Sequence, residues 1–577
     1  MKKRITNLFF LITFTVISSC NFLQYDESSH YEKEDIFIYF SRSKNFLTNC
    51  YSYMPDVYGT VGGAMRSAAC DEAIFIDRTS AIQGFNNGAW SPLYLLDSKW
   101  DLFTVIRQIN IFLVESATQF FEDTKYNIDY DLIMSQYKLY PFEARFLRAY
   151  YYFELAKRYG DIPLITTVLT EDEANNLTRT PFDQVIQFIV EECDAIAPQL
   201  PVNHLNITEQ ETGRATRGMA MALKSKALLY AASPLFNPSN DKAKWQKAAK
   251  AAADLIKIAE SAPHATNPFS GGLGYSLPTL ANTWNQNYAT NRELILGVMR
   301  AESNTFEQQN YPVGIDGGGR TGHCPTQNLV DAYEMKASGL PINAAAGYQA
   351  ADPDYDPQNP YAGRDPRLAA TVAFNNSIWP TQYAQALECW EGGRSGKPVQ
   401  WASTTGYYLK KHVEGTTELR PGRTQTSRRH VWNILRYSEI LLNYAEAMTE
   451  GFDDYNFTND DYPISARQAV NKVRARAGVE MPPFPETLTL AEFKLKLRNE
   501  RRVELAFEDQ RFWDVRRWKI AHQNTNIYGM DIKRSGTTFV YTPVLVENRT
   551  FSDKMYLYPI PPAELFINPK LTQNQGW

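Results

Sequence analysis

The stretch Leu495 to Lys519, LKLRNERRVELAFEDQRFWDVRRWK, constrains the fold more than any other in the chain. It holds no Gly or Pro and consists almost wholly of good helix formers, which predicts one continuous helix. Its apolar residues, Val503, Ala506, Phe507, Phe512, Trp513, Val515 and Trp518, are interleaved with charge rather than gathered on one face. The basic residues Arg498, Arg501, Arg502, Arg511, Arg516, Arg517 and Lys519 stand against Glu500, Glu504, Glu508, Asp509 and Asp514. The spacing pairs Arg501 with Glu504, Glu508 with Arg511 and Asp514 with Arg517 at i,i+3. Such a helix belongs inside a protein with its charges matched, because an unpaired buried charge is expensive. Its near balance of sign argues against a nucleic-acid surface, as does a net charge of −5 over 577 residues.

Other helical patterns recur in pairs. Asp35–Tyr53 goes with Asp97–Thr118, Glu143–Tyr159 with Pro181–Ile196, Arg217–Ala232 with Lys244–Ala259, and Arg429–Met448 with Ile464–Ala477. Thr180 is the expected N-cap before Pro181. No such pair can bury its apolar face alone. The reading is a mainly α protein, a tetratricopeptide-like superhelix of stacked helical pairs without a clean 34-residue period. Between Ser261 and His430 periodicity gives way to Gly, Pro, Asn and Tyr, with Trp284, Trp379, Trp390 and Trp401. This predicts a loop-rich subregion with short strands, the kind of place where binding residues sit on a rigid scaffold.

The N-terminus reads as an export leader. Met1-Lys2-Lys3-Arg4 is basic, Leu8 to Ile17 is apolar but too short to span a bilayer, and Ile17-Ser18-Ser19-Cys20 follows. The last four residues resemble the lipobox of bacterial lipoproteins, which implies cleavage before Cys20 and lipidation of its sulfur. Acyl chains at Cys20 would anchor the chain to a membrane. Gln24 to Lys33 reads as a tether. The remaining cysteines, Cys50, Cys70, Cys193, Cys324 and Cys389, have no C-x-x-C spacing and indicate neither zinc nor a fixed disulfide framework.

Several catalytic and cofactor patterns fail on context. Gly317 to Gly322 spells G-x-G-x-x-G, but no apolar strand precedes it and Pro325 follows it. Asp352 to Asp356 begins like a calcium loop, yet Pro357 and Gly363 stand where Gly and Glu are required. The histidines are isolated, and neither H-E-x-x-H nor G-x-S-x-G occurs. No metal site is placed, no cofactor is expected, and nothing in these patterns supports metallo- or serine hydrolysis, while the carboxylate pair of a glycosidase is neither placed nor excluded among 64 acids.

Five segments in register resemble the SusD/RagB family of outer-membrane glycan-binding lipoproteins of Bacteroidetes-type bacteria. They are Ala144–Thr166 (ARFLRAYYYFELAKRYGDIPLIT), Asp331–Met335 (DAYEM), Arg364–Leu368 (RDPRL) with Leu435–Ala447 (LRYSEILLNYAEA), the stretch Leu495–Lys519, and the tail Tyr556–Trp577. The resemblance implies a leader at 1–19, an N-terminal helical region at 20–262, and a C-terminal region at 263–577 packed with it as one globule. It also implies a non-enzymatic role, with lipid anchorage facing the cell exterior, capture of oligo- or polysaccharide, and delivery to a SusC-like TonB-dependent transporter. A helical-repeat adaptor for peptide or protein cargo is the alternative, and a glycoside hydrolase the third reading.

For the ligand, the segment Asp71–Trp100 combines Phe85, Trp90 and Tyr94 with Asp71, Arg78, Asn86 and Asn87. A sugar stacks its C–H face on an aromatic ring while its hydroxyls seek carboxylate, amide and guanidinium partners. The family resemblance carries Asp71, Arg78 and Trp90 over as glycan-binding residues, joined by Asn86 and Tyr94 and, from the second half, Trp284 and Tyr311. The competing reading is that Trp90 caps the scaffold core and that Asp71 and Arg78 form a structural ion pair.

Overall fold

The computed structural model describes residues 33–55, 58–117, 121–122, 124–204, 211–284, 287–288 and 290–577. The leader, Cys20 and the tether up to residue 32 lie outside the described residues. A run of helices follows: α1 (Phe40–Ser52), α2 (Leu102–Glu115), α3 (Tyr140–Tyr159), α4 (Phe182–Ile196), α5 (Arg217–Ala232), α6 (Lys242–Ala259), α7 (Tyr437–Phe452) and α8 (Ala466–Arg474). Each packs on the next, and α6 meets α7 across the intervening loop region. α5 and α6 pack against each other, and both are rich in buried small residues, among them Gly218, Ala220, Ala222 and Ala227 on α5 and Ala248 and Ala252 on α6. Small side chains let the helix axes approach closely and give this array its mainly α character. No described helix is long and apolar enough to cross a membrane.

Two boundaries differ from the sequence reading for visible reasons. Thr180 does not cap α4, because it is bridged to Ile162, and the Phe182 N–H donates instead to Asp161 Oδ1 at 2.8 Å. The stretch Arg429–Met448 is strand before it is helix. Val431–Arg436 (β6) pairs antiparallel with Leu294–Met299 (β2), and the helix begins only at Tyr437. The β-branched and aromatic content of VWNILR suits a strand once a partner is present.

The closing segment is also two helices, α9 (Leu490–Glu504) and α10 (Arg511–Arg517), not one. Phe507 (φ 60°) and Asp509 (φ 62°) turn the chain between them. The turn is held by distant partners. Asp509 accepts from Arg66 Nε and Nη2 at 2.7 and 2.6 Å, and Glu508 accepts from Arg436 Nε at 2.6 Å and Lys411 Nζ at 2.6 Å. Matching these buried cations outweighs two left-handed residues, each costing about 1–3 kcal/mol. Of the three i,i+3 pairs expected, Asp514 with Arg517 forms (2.8 Å), whereas Arg501 binds Asp514 and Arg511 binds Asp71.

The other signature segments feed the same buried network. Arg367 reaches Glu500 (2.6 Å) and Glu504 (2.9 Å), Glu334 accepts from Arg474 (2.9 Å) and from Lys496, and Arg517 holds Glu446 (2.6 Å). One continuous hydrophobic core, from Phe37 to Ile560, surrounds these charges.

The loop-rich region carries short strands as expected. His323–Pro325 (β3) pairs with Ala73–Phe75 (β1), which draws the insertion between α1 and α2 against the second half of the chain. Val372–Ala373 (β4) pairs with Tyr408–Leu409 (β5). Beyond α10 lies a long antiparallel hairpin that the helical patterns did not announce, Asn526–Ser535 (β7) with Thr538–Asn548 (β8).

Candidate functional site

The structure takes most of the expected glycan residues out of reach of a ligand. Trp90 is 1% exposed and packs edge-on against Phe85, Tyr558 and Trp577, with centroids 4.7–4.9 Å apart. It caps the core. Asp71 is buried, its carboxylate held by Arg511 (2.8 and 2.9 Å) and Arg502 (2.9 Å). Burial alone would raise its pKa, but the two guanidiniums overcome that and hold the carboxyl well below the usual range. Asn86 is buried and donates to Ala68 O at 3.0 Å. Tyr311 is buried and donates to Glu414 O at 2.7 Å and Thr417 O at 3.1 Å. Trp284 packs on Leu280, Val479 and Met481 beneath Lys411, whose Nζ lies 4.6 Å from the ring centroid. The common cause is that this fold consumes aromatics and charges internally, so their presence in a loop does not imply exposure.

Two of the expected residues stay at the surface, and the structure does not bring them together. Tyr94 is exposed beside Gly84. Arg78 is paired with Glu547 at the base of the β7–β8 hairpin, with its side chain still 44% exposed. The partner of Arg78 is therefore Glu547 and not Asp71. Its charge also reaches the buried Cys324 thiol, which burial pushes up in pKa against the opposing Ser403 hydroxyl. The hairpin itself comes up against residues 403–405, since an added Cβ at Gly529 would stand 2.7 Å from the Thr405 Cα.

That neighbourhood opens into a groove of about 380 Å³ between loop 389–406 and strand β7. Its floor is apolar, from Cys389, Met530 and Ile532, and its rim carries Glu391, Lys397, Asp531 and Lys533. Backbone bonds fix the walls: Glu391 N–H donates to Ile532 O (2.8 Å) and Met530 N–H to Thr405 O (2.9 Å). Gly406 allows this approach, since at φ 78° an added Cβ would stand 2.5 Å from Met530 O. Lys397 Nζ donates to Asp531 Oδ1 at 3.2 Å across the rim.

Trp401 rides on the same loop, between the wall residues Pro398 and Ser403. It is 47% exposed, while the other tryptophans among the described residues are buried or half-buried. Its backbone is left-handed (φ 65°), a costly conformation for a bulky side chain and one that clusters at ligand clamps. Trp390, at the start of the same loop, is half-buried against Phe539 (5.2 Å) and under Arg534 (5.3 Å). A larger cavity of about 560 Å³ lies between α1 and β2, but its charges are already matched, Glu211 holding both Lys44 and Arg214.

An apolar floor, a polar rim and an exposed indole suit a ligand with one apolar face and many hydroxyls, within the size range of small-molecule sites. Sequence reasoning placed Trp401 in the binding-prone loops but missed Glu391, Ser403, Asp531 and Lys533, because half of the groove comes from the unforeseen hairpin. The signal available was Gly536 between the alternating runs Ile527–Ile532 and Phe539–Val544.

A family model described as the SusD family matches residues 284–577. The chain belongs to the SusD family. A second model, described as starch-binding associating with outer membrane, matches residues 100–229. SusD-like protein P2 of Formosa agariphila is 24% identical over 75% of this chain and 72% of its own length. A SusD-like protein of Bacteroides fragilis superposes with a TM-score of 0.74 at 28% identity, over 94% of this chain and 98% of that one. A SusD-like carbohydrate-binding protein from the same species gives 0.70 at 26%, over 93% and 100%. The SusD-like signatures in this chain are its buried ion pairs, which is why they identify the fold and leave the ligand open.

Proposed function

We propose that this SusD-like chain is a non-catalytic glycan-binding protein of the outer membrane whose ligand lies in the groove beside Trp401. The exposed, left-handed Trp401 next to a groove with an apolar floor and polar rim carries the reading. The carbohydrate-binding relative and the starch-binding family model support it. In this reading the indole stacks on a sugar ring, while Glu391, Lys397, Asp531, Lys533 and Ser403 meet its hydroxyls, and Arg78 extends the contact from the hairpin base. The chain is held at the cell exterior through lipid on Cys20 and hands its oligosaccharide to a SusC-like TonB-dependent transporter. The two regions 20–262 and 263–577 act as one body in that transfer.

The test is calorimetric titration of the full-length chain, in a detergent without a sugar headgroup, against a panel of polysaccharides. One should bind saturably without release of reducing sugar. Trp401→Ala should weaken it about tenfold or more, since ~1.5 kcal/mol of ring contact is a factor of about ten. Unchanged binding in Trp401→Ala would move the site elsewhere, and release of reducing sugar would make the protein an enzyme.

A further inference from the structure

A second surface region, linked to the groove loop through one buried contact, gathers several arginines although the chain as a whole carries −5. Ser395 Oγ donates to Val313 O at 2.8 Å, which ties the groove loop to loop 311–320. In that loop, Gly317 lies against Arg420, where an added Cβ would be 3.2 Å from the Arg420 nitrogen. Residues 420–423, Arg-Pro-Gly-Arg, form a turn in which Arg423 N–H donates to Arg420 O at 3.3 Å. Gly422 at its tip has φ 77° and open space around it, so the turn projects into solvent. The chain then returns through Arg428, which bonds Ser303 (2.9 Å both ways), and Arg429 to His430, whose carbonyl accepts from the Arg300 N–H (3.1 Å). Arg320 joins the cluster through its N–H to Gln308 O at 3.0 Å, and Gln308 in turn bonds Asn304, whose amide donates to Thr426 O.

The cations of this cluster are not spent as those of the core are. Buried arginines such as Arg66, Arg367 and Arg436 are each held by two or more carboxylates. Here Arg420 is taken by Glu418 at 2.6 Å, and Glu302 and Asp316 are the exposed acids nearby. Arg320, Arg423 and Arg429 are exposed and form no ion pair among the described residues, and Arg428 gives one N–H to the Ser427 carbonyl. A guanidinium is a planar fork that matches a carboxylate or sulfate in two parallel bonds.

Building on the groove reading above, we propose that the ligand is an acidic polysaccharide bearing carboxylate or sulfate groups. A ring of it sits on Trp401 while neighbouring acidic units run along Arg320, Arg423 and Arg429. The arginines then select for charge and the groove for sugar.

The test titrates the full-length chain with alginate (a polyuronate), dextran sulfate, neutral dextran, neutral laminarin and poly-glutamate, at low and high salt. The variants are Trp401→Ala and the surface triple variant Arg320→Gln, Arg423→Gln, Arg429→Gln. An acidic polysaccharide should bind about tenfold tighter than a neutral one, and the triple variant should lose about that factor together with much of the salt dependence. Alginate against dextran sulfate tells carboxylate from sulfate recognition. Equal binding of neutral and acidic chains, an unmoved triple variant, or poly-glutamate binding as tightly as the sugars would overturn the inference. Neutral glycan binding that falls in Trp401→Ala but not in the triple variant would leave the groove standing and sink this extension. Silence toward every polysaccharide would sink both.

Discussion

Glu72→Gln should make the protein more stable above neutral pH. Glu72 is fully buried just before β1, next to Asp71 and Cys70, where its carboxyl accepts a long 3.4 Å bond from the Phe507 N–H. Burial and the Asp71 charge outweigh Arg502 and Arg511 and push its pKa from 4.5 up to about 8. Asp71 already claims those two guanidiniums, so Glu72 folds as a neutral acid. Between pH 4.5 and 8 the native chain keeps a proton that the unfolded chain has released, and stability therefore falls as pH rises. Below 4.5 both states hold the proton and the residue contributes nothing to the slope. At about 1.4 kcal/mol per pH unit the loss approaches roughly 5 kcal/mol by pH 8. Gln keeps the shape without the titration. Urea unfolding followed by tryptophan fluorescence should give nearly coincident midpoints at pH 5 and a higher midpoint for the variant at pH 8.5, at similar m-value. A constant offset between the two proteins across that range would refute the reasoning.

Arg436→Met should cost about 3–5 kcal/mol, because Glu293, Glu504 and Glu508 lose a shared buried cation; denaturant titration reads it, and a loss below about 1 kcal/mol would show that Arg476 and Lys411 suffice. Trp90→Ala should destabilise by about 3–5 kcal/mol through the cavity between Tyr558 and Trp577. Its residual folded fraction should bind glycan normally, and a stable variant with abolished binding would restore Trp90 to the site. Acid should destabilise the fold. Glu154, although burial opposes it, is held down to about 2 by Lys157 and Arg158, so its contribution is present above 4.5 and is lost as pH falls toward 2. A melting temperature unchanged from pH 6 to pH 3 would contradict this.

What the sequence determined by itself is the scaffold. Helical periodicity placed α3, α4, α5 and α6 within a few residues because each is long, amphipathic or small-residue rich, and those are local properties. The charge-dense stretch 495–519 announced a buried, paired interior for the same reason: no exposed helix needs so many aromatics among its charges. Partner choice was not local. Arg501 takes Asp514 in place of Glu504, and Glu508 takes Arg436 and Lys411 from across the fold, because a buried charge settles where geometry neutralises it best. That choice breaks the closing helix at Phe507 and Asp509.

Exposure, too, was decided only in three dimensions. Trp90 and Trp401 each stand in a loop among polar residues, yet one is sealed by the C-terminal Tyr558 and Trp577 and the other is left at the surface. The groove pairs loop 389–406 with a strand more than a hundred residues later in the chain, a juxtaposition set by the Met530–Thr405 and Glu391–Ile532 backbone bonds. Side-chain chemistry can be read along a chain, but which side chains share a cleft depends on contacts that the tertiary fold alone brings about.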